Sequence, residues 1–323
     1  MKATTGLLIV LAGMATAGQP ARAQEYPTRP IRMVVPYAPG GNTDILARAV
    51  AQRMNANWDT PIVVDNRPGG NGFIAANIVA EANPDGYTVL VASSREVSIN
   101  KVLFRKLPYD PDKDFAPVTL GTVSAMLFAA HPSFTGSALR DIIALAKAQP
   151  GKLIHASSAT GSASHLTGAR LNYITGIKVV NVAFKGGPDA TIEILAGRAS
   201  FHVGTMGVCL PFIKEGKLVA LGVTTPQRAP VLPDVPTLGE VLPEFKRPET
   251  THGLVAPAGT PRPIIGELNK QIARILALPD VKERLQNISY VISTSTPEEY
   301  DKILRSQIEG LTSLVRDAGL KPK

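Results

Sequence analysis

Residues 31–54 read IRMVVPYAPGGNTDILARAVAQRM. A short apolar run, IRMVV, ends at Pro36. A glycine turn follows, and DILARAVAQRM then carries apolar residues at i, i+3, i+4 and i+7, so the stretch reads as strand, turn and helix. The pattern recurs downstream. PIVVDN (61–66) and YTVLVAS (87–93) are strand-like, and FIAANIVAEA (73–82) is helical. Alternation of this kind predicts an α/β fold with mainly parallel strands.

After the proline-rich LPYDPDKDFAP (107–117) comes the apolar VTLGTVSAMLFAAHP (118–132), and the rhythm starts again. KLIHASS (152–158), KVVNVAF (178–184) and ASFHVGT (199–205) each lead into a helical segment. LVALGVTT (218–225) precedes a second proline-rich passage, and two amphipathic helices close the chain within 261–277 and 296–319. Two rounds predict two lobes: 24–123 with 250–323, and 124–249 between them. Ligands of open α/β sheets bind at the carboxyl ends of strands, beside helix N-termini. The opening turn occupies such a place.

The N-terminus reads as an export signal. Lys2, an apolar stretch from Gly6 to Ala17 and the small-residue site Ala21-Arg22-Ala23 predict cleavage after Ala23 and a periplasmic location. The apolar stretch is well short of the ~20 residues a spanning helix needs. Neither Ala23 nor Gln24 is a cysteine to carry lipid. Removing 23 of 323 residues still leaves more chain than one core usually serves. With one cysteine, Cys209, no internal disulfide forms, so stability rests on a core drawn from a 44% hydrophobic composition. Cys209 itself reads as a small buried apolar residue. The net charge is +8, but the basic residues are scattered singly and aromatics make up 5%, which argues against nucleic-acid binding.

PGGNTD is no Walker loop. The only Gly-Lys pairs, Gly151-Lys152 and Gly216-Lys217, are each followed by leucine instead of Ser or Thr. The turn still suits an anion: Gly40 and Gly41 leave backbone N–H groups open, and Asn42, Thr43 or Asp44 caps a helix whose positive end points the same way. A plain capped turn is the alternative. Gly70-Asn71-Gly72-Phe73-Ile74-Ala75 matches a dinucleotide pattern, but Asp65 to Pro68 separate it from its strand, and no nicotinamide or other cofactor is expected.

SSATGSASHL (157–166) offers a serine with His165 as base, or a hydroxyl-rich cradle for a carboxylate from Ser157, Ser158, Thr160, Ser162 and Ser164, with Gly161 giving backbone access. No G-x-S-x-G elbow aims a nucleophile, which favours the cradle. A third loop, FKGGPDATIEIL (184–195), repeats the paired glycines before a helix, with Pro188 at its start. Asp44 and Asp189 each stand where an aspartate complements a helix N-terminus, so an acid/base pair is the weaker reading. The five histidines are widely spaced, so no metal is expected.

Taken together, YPTRPIRMVVPYAPGGNTDILARAVAQRM, VVDNRPGGNGFIAANIVAEANPDGYTVLVAS, FKGGPDATIEILAGRASFHVGT, LPDVPTLGE and GLVAPAGTP resemble the Bug-type extracytoplasmic solute receptors of tripartite tricarboxylate transport. The resemblance spans essentially the whole exported chain. It implies a two-lobed periplasmic-binding-protein fold (Venus flytrap, type II), each lobe a mainly parallel sheet flanked by helices, with a ligand carboxylate held by amides, hydroxyls and water. Carried over by position, the first lobe contributes Tyr37, Ala38, Pro39, Gly40, Gly41, Asn42, Thr43 and Asp44, with Ser93 and Ser94 at a strand end. The second contributes Ser157, Ser158, Thr160, Gly161, Ser162, Ser164, His165, Phe184, Lys185, Gly186, Gly187, Asp189 and Thr205. The implied partners are a small organic carboxylate and membrane permease subunits or a sensor; the receptor itself is expected to be a monomer and no enzyme. A secreted serine hydrolase using Ser157 to His165 is the competing function.

Two departures from the family pattern bear on the ligand. Arg95 and Glu96 follow Ser94 where such receptors carry smaller or neutral residues. They either line the cleft, where Arg95 would meet a second carboxylate or Glu96 an ammonium or amide, or pair with each other on its rim, which is the favoured reading. His252 stands where tryptophan is common.

Overall fold

The computed structural model describes residues 26–58, 60–134, 136, 138–225, 227–245, 250–287, 290–317 and 322. The expected leader, 1–23, lies outside them. Strand β1 (Ile31–Val35) alternates as its sequence dictates: Ile31, Met33 and Val35 enter one core and Val34 another on the opposite face. From β1 the chain runs through α1 (Asn42–Asn57), β2 (Ile62–Asn66), a 3-10 turn (Gly70–Gly72), α2 (Phe73–Ala80) and β3 (Thr88–Ser93). A π turn (Arg95–Ile99) and α3 (Asn100–Leu103) follow, and then the long β4 (Phe115–Ser124).

One residue later the chain is in a second sheet. It builds β5 (Met126–Ala130), α4 (Leu139–Ala148), β6 (Ile154–Ser157), α5 (Ala163–Thr175), β7 (Val180–Ala183), α6 (Gly187–Leu195), β8 (Phe201–Thr205), α7 (Met206–Lys214), β9 (Val219–Val223) and α8 (Leu238–Val241). It returns through β10 (Thr250–Pro257) and ends in α9 (Arg262–Leu276), α10 (Pro279–Asn287), β11 (Tyr290–Ile292) and α11 (Pro297–Asp317).

The strand orders are β11-β4-β10-β3-β1-β2 and β7-β6-β8-β5-β9. Strand–helix–strand units give parallel neighbours, β1 with β2 and β3, and β6 with β7 and β8. Most strands of each sheet share one direction, as expected, and both sheets are mixed. β4 leaves the first sheet and β10 comes back into it, so the two pair antiparallel, and β10 also meets β3 antiparallel. In the second sheet β5 and its neighbours β8 and β9 do the same.

Helices cover both faces of each sheet. In α9, Ile265, Leu268, Ile272, Ile275 and Leu276 are buried at helical spacing and pack with α1 on the core below β1. Tyr300 of α11 and Val79 of α2 fill the other face. In the second lobe Phe201 stacks between Phe128 (centroids 5.7 Å apart) and the His155 ring (4.9 Å). Cys209 is a free, buried thiol in the core behind them. A smaller cluster bridges the lobes: Ile99, Leu103 and the Leu311–Leu314–Val315 end of α11 pack with Leu166 of α5.

Phe201→Ala removes a fully buried ring from this stack. The expected cost is about 3–5 kcal/mol, read as a lower urea midpoint with an unchanged slope.

Candidate functional site

The first loop leaves β1 at Pro36. Its Ala38, Pro39 and Gly40 are exposed, and Gly40 has φ 83°. Gly41 precedes α1 with no side-chain cap. Asp44 works backward instead: its carboxylate, 2% exposed, accepts Gly40 N–H (2.8 Å), Arg48 Nε–H (2.9 Å) and Asn66 Nδ2–H (2.9 Å). Asn66 also donates to the Tyr37 carbonyl oxygen (3.0 Å), so Asp44 and Asn66 hold both ends of the turn. Burial alone would raise the Asp44 pKa. The bonds from Arg48, Gly40 and Asn66 outweigh it and hold the carboxyl below its ordinary 3.8. The first N–H groups of α1 have no helical carbonyl to bond and stand beside this turn.

β3 ends one strand away from the lobe crossing, with Ser93 opposite His252 of β10. Ser94 Oγ accepts Thr251 N–H (2.8 Å), which ties it to β10. Arg95 and Glu96 do not form the expected rim pair. The π turn carries Glu96 inward to 0% exposure, where Oε2 accepts Ser93 N–H (2.8 Å) and Oε1 lies 2.9 Å from Tyr37 Oη. Arg95 stays half-buried, its Nη1 donating to Asn71 Oδ1 (3.3 Å). His252 is a buried strand residue, its Nδ1 3.3 Å from Ser124 Oγ, and burial pushes its pKa down to about 4.

In the second lobe Ser162 caps α5: its Oγ accepts His165 N–H (3.1 Å) and donates to the Ala159 carbonyl oxygen (2.7 Å). His165 Nδ1 accepts Gly161 N–H (2.9 Å), so the imidazole closes the turn that Gly161 was expected to leave open. The ring also lines a cavity of about 320 Å³ between α5 and β7, together with His155, Asn172 and Asn181. Ser164, 1% exposed in the first turn of α5, has an Oγ with no protein partner. Ser157 is buried, Ser158 half-buried and Thr160 exposed.

Phe184 N–H donates to the Ser157 carbonyl oxygen (2.8 Å) and joins the third loop to the second. Gly186, before α6, and Gly187, its first residue, are half-buried, while Lys185 and Asp189 are exposed. Thr205 ends β8 opposite Met126 at the crossing.

The strand-end loops of the two lobes thus present three helix N-termini, of α1, α5 and α6, with hydroxyls beside them. That suits an anion of low charge and needs no buried cation. It suits serine chemistry poorly, since Ser162 Oγ is held by the His165 backbone and not by its ring. Among the described residues no three His, Cys, Asp or Glu side chains gather as a metal site. The clamp from Asp44 and Asn66 and the inward turn of Glu96 were missed from sequence.

The sequence profile described as tripartite tricarboxylate transporter family receptor matches residues 46–320. The chain belongs to this receptor family. Protein BugT of Bordetella pertussis (strain Tohama I) is 32% identical to it, over 99% of this chain and 98% of BugT, which identifies a Bug-type receptor. A solved R. palustris protein with adipate superposes with a TM-score of 0.87 at 29% identity, covering 93% of this chain and all of that one. MatC from Rhodopseudomonas palustris, with bound malate, gives 0.81 at 32% identity over 90% and 100%. The two-lobed architecture is therefore that of the family.

Asp44→Ala frees Gly40 and Asn66, and the expected loss is about 1.5–3 kcal/mol, the range for a bond to a charged group. The Asp44 pKa is depressed on folding, so its contribution is complete above pH 3.8 and disappears as pH falls through the lower folded value. Urea unfolding of both proteins across that range should show the two curves converge in acid.

Proposed function

We propose that this receptor captures a small organic carboxylate between its lobes, in the periplasm, and presents it to the permease of a tripartite transporter. The observation that carries this reading is the pair of closed glycine–hydroxyl loops at the N-termini of α1 and α5, on a chain whose relatives were solved with adipate and malate. Tyr37 to Asp44 hold the carboxylate from the first lobe. Ser157 to His165 and Phe184 to Asp189 hold it from the second, and Ser164 Oγ is the buried hydroxyl still in want of a partner.

The lobes, 24–123 with 250–323 against 124–249, close about Ala125, because it joins β4 to β5. A ligand favours closure only by the contacts it gains with both lobes. Residues 1–23 direct export and are then removed. Among the described residues no helix is long and apolar enough to cross a membrane. The receptor works as a monomer and turns nothing over.

Thermal unfolding of the ligand-stripped chain against mono-, di- and tricarboxylates and their amides tests this. A ligand at 100 times its Kd stabilises by about 2.7 kcal/mol. Midpoint shifts confined to free acids are expected. Consumption of an ester with no shift by any acid would overturn the reading.

A further inference from the structure

Three oxygen-bearing groups meet beneath the first loop. Tyr37 Oη is 2.8 Å from Ser93 Oγ and 2.9 Å from Glu96 Oε1, and Ser93 Oγ is 2.8 Å from Glu96 Oε2. At such distances each pair of oxygens has a hydrogen between them, or two lone pairs face each other. The triangle therefore needs three hydrogens. The two hydroxyls bring two. Ser93 N–H, on Oε2 at 2.8 Å, and Arg95 N–H, on Ser93 Oγ at 3.2 Å, make contacts of their own and cannot fill the third. A proton on the Glu96 carboxyl completes the ring, whichever way round the hydrogens run.

The surroundings favour the same count. Glu96 is fully buried, and at Gly72 even a Cβ would collide with Oε1. The groups that face it are Tyr37 from the first loop, Tyr109 from the segment before β4, Tyr300 from α11 and Arg95 from its own turn. Burial raises all three tyrosines, which stay neutral. Arg95 is the one cation and favours the ionised acid, but its guanidinium bonds Asn71. Desolvation outweighs it and raises the carboxyl above its ordinary 4.5.

We propose that Glu96 sets the charge this site accepts: it holds a proton in the ligand-free receptor, and the neutral acid behind Tyr37 lets the first loop take a carboxylate. This rests on the carboxylate reading of the site. An ionised Glu96 would place a desolvated negative charge directly behind the loop and repel the ligand. Carboxylate binding is therefore linked to keeping this proton. Affinity is highest below the raised pKa and falls as pH rises through it, by up to roughly tenfold per pH unit, the slope for one linked proton. Native stability follows the same sign, falling as pH rises from 4.5, because the unfolded chain gives up the proton first.

Glu96→Gln keeps the shape and supplies a third hydrogen from its amide. Difference infrared spectra of wild type against E96Q, without ligand at neutral pH, should show the carbonyl band of one protonated carboxyl group. Calorimetry with a carboxylate that shifts the midpoint, in buffers of different ionisation enthalpy and at a pH high enough that the infrared band of the free receptor has been lost, should show proton uptake for wild type and none for E96Q, whose affinity stays flat with pH. Absence of the infrared band overturns the proposal whether or not any ligand is known. A bound carboxylate with a flat wild-type pH profile, or an E96Q profile as steep as wild type, also overturns it and leaves the receptor reading standing. The band present with no carboxylate bound at any pH removes the receptor reading and the link to affinity with it. Should E96Q fail to fold, proton uptake by wild type alone decides.

Discussion

Two strands carry the chain between the lobes, and they are hydrogen-bonded to each other from Phe115–Pro257 to Ser124–Thr250. Much else follows from that antiparallel pair. β3 is registered on β10, which puts Ser93 beside the crossing, and β8 on β5, which puts Thr205 there. Because β1 and β3 run parallel to each other, as do β6, β7 and β8, their carboxyl ends lie together, and the helices that follow begin there. The site is thus made of strand ends and helix starts. Backbone amides are concentrated in it before any side chain is considered.

A site of this kind holds an anion with dipoles, and its charged side chains serve the loops instead. Arg48 and Asp44 pair along one turn of α1, with Gly40 and Asn66 bound to the same carboxylate. The result is a rigid turn with little net charge. Glu96 needs a different remedy, since burial leaves no water to solvate it and its donors are two hydroxyls and one amide. A proton is the cheapest neutralisation available there, since pairing with Arg95 would draw the guanidinium off Asn71 and into the interior.

Strand, turn and helix were legible in the sequence because each depends on neighbours within a few residues. The loops Tyr37–Asp44 and Ser157–His165 were placed for the same reason. What was not legible depends on distant partners. Asn66 reaches Tyr37 across 29 residues, Tyr37 reaches Glu96 across 59, and Ser94 reaches Thr251 across 157. No spacing rule joins such positions. Glu96 was read as pairing with Arg95 on the rim, and that reading fails where a π turn and a glycine make room for the side chain in the interior. The direction of β4 and β10 is set by their pairing across the crossing, which no local pattern shows.

The bridging cluster constrains how such a molecule moves. Leu166 lies one turn into α5, whose N-terminus belongs to the second-lobe site, yet it packs against Leu311 and Leu314 of α11 and Leu103 of α3 from the first. Beneath that contact Gln307 of α11 donates to Thr251 Oγ1 (3.1 Å), which fixes α11 to β10 at the crossing. Pulling the lobes straight apart would expose the leucines to water, at a cost of about 1.5–3 kcal/mol for each buried side chain. Rotation about the cluster keeps them covered. On the proposed function, such a rotation moves the crossing strands and α11 least, so the contacts a ligand adds on closing would come from the glycine turns and not from the hinge.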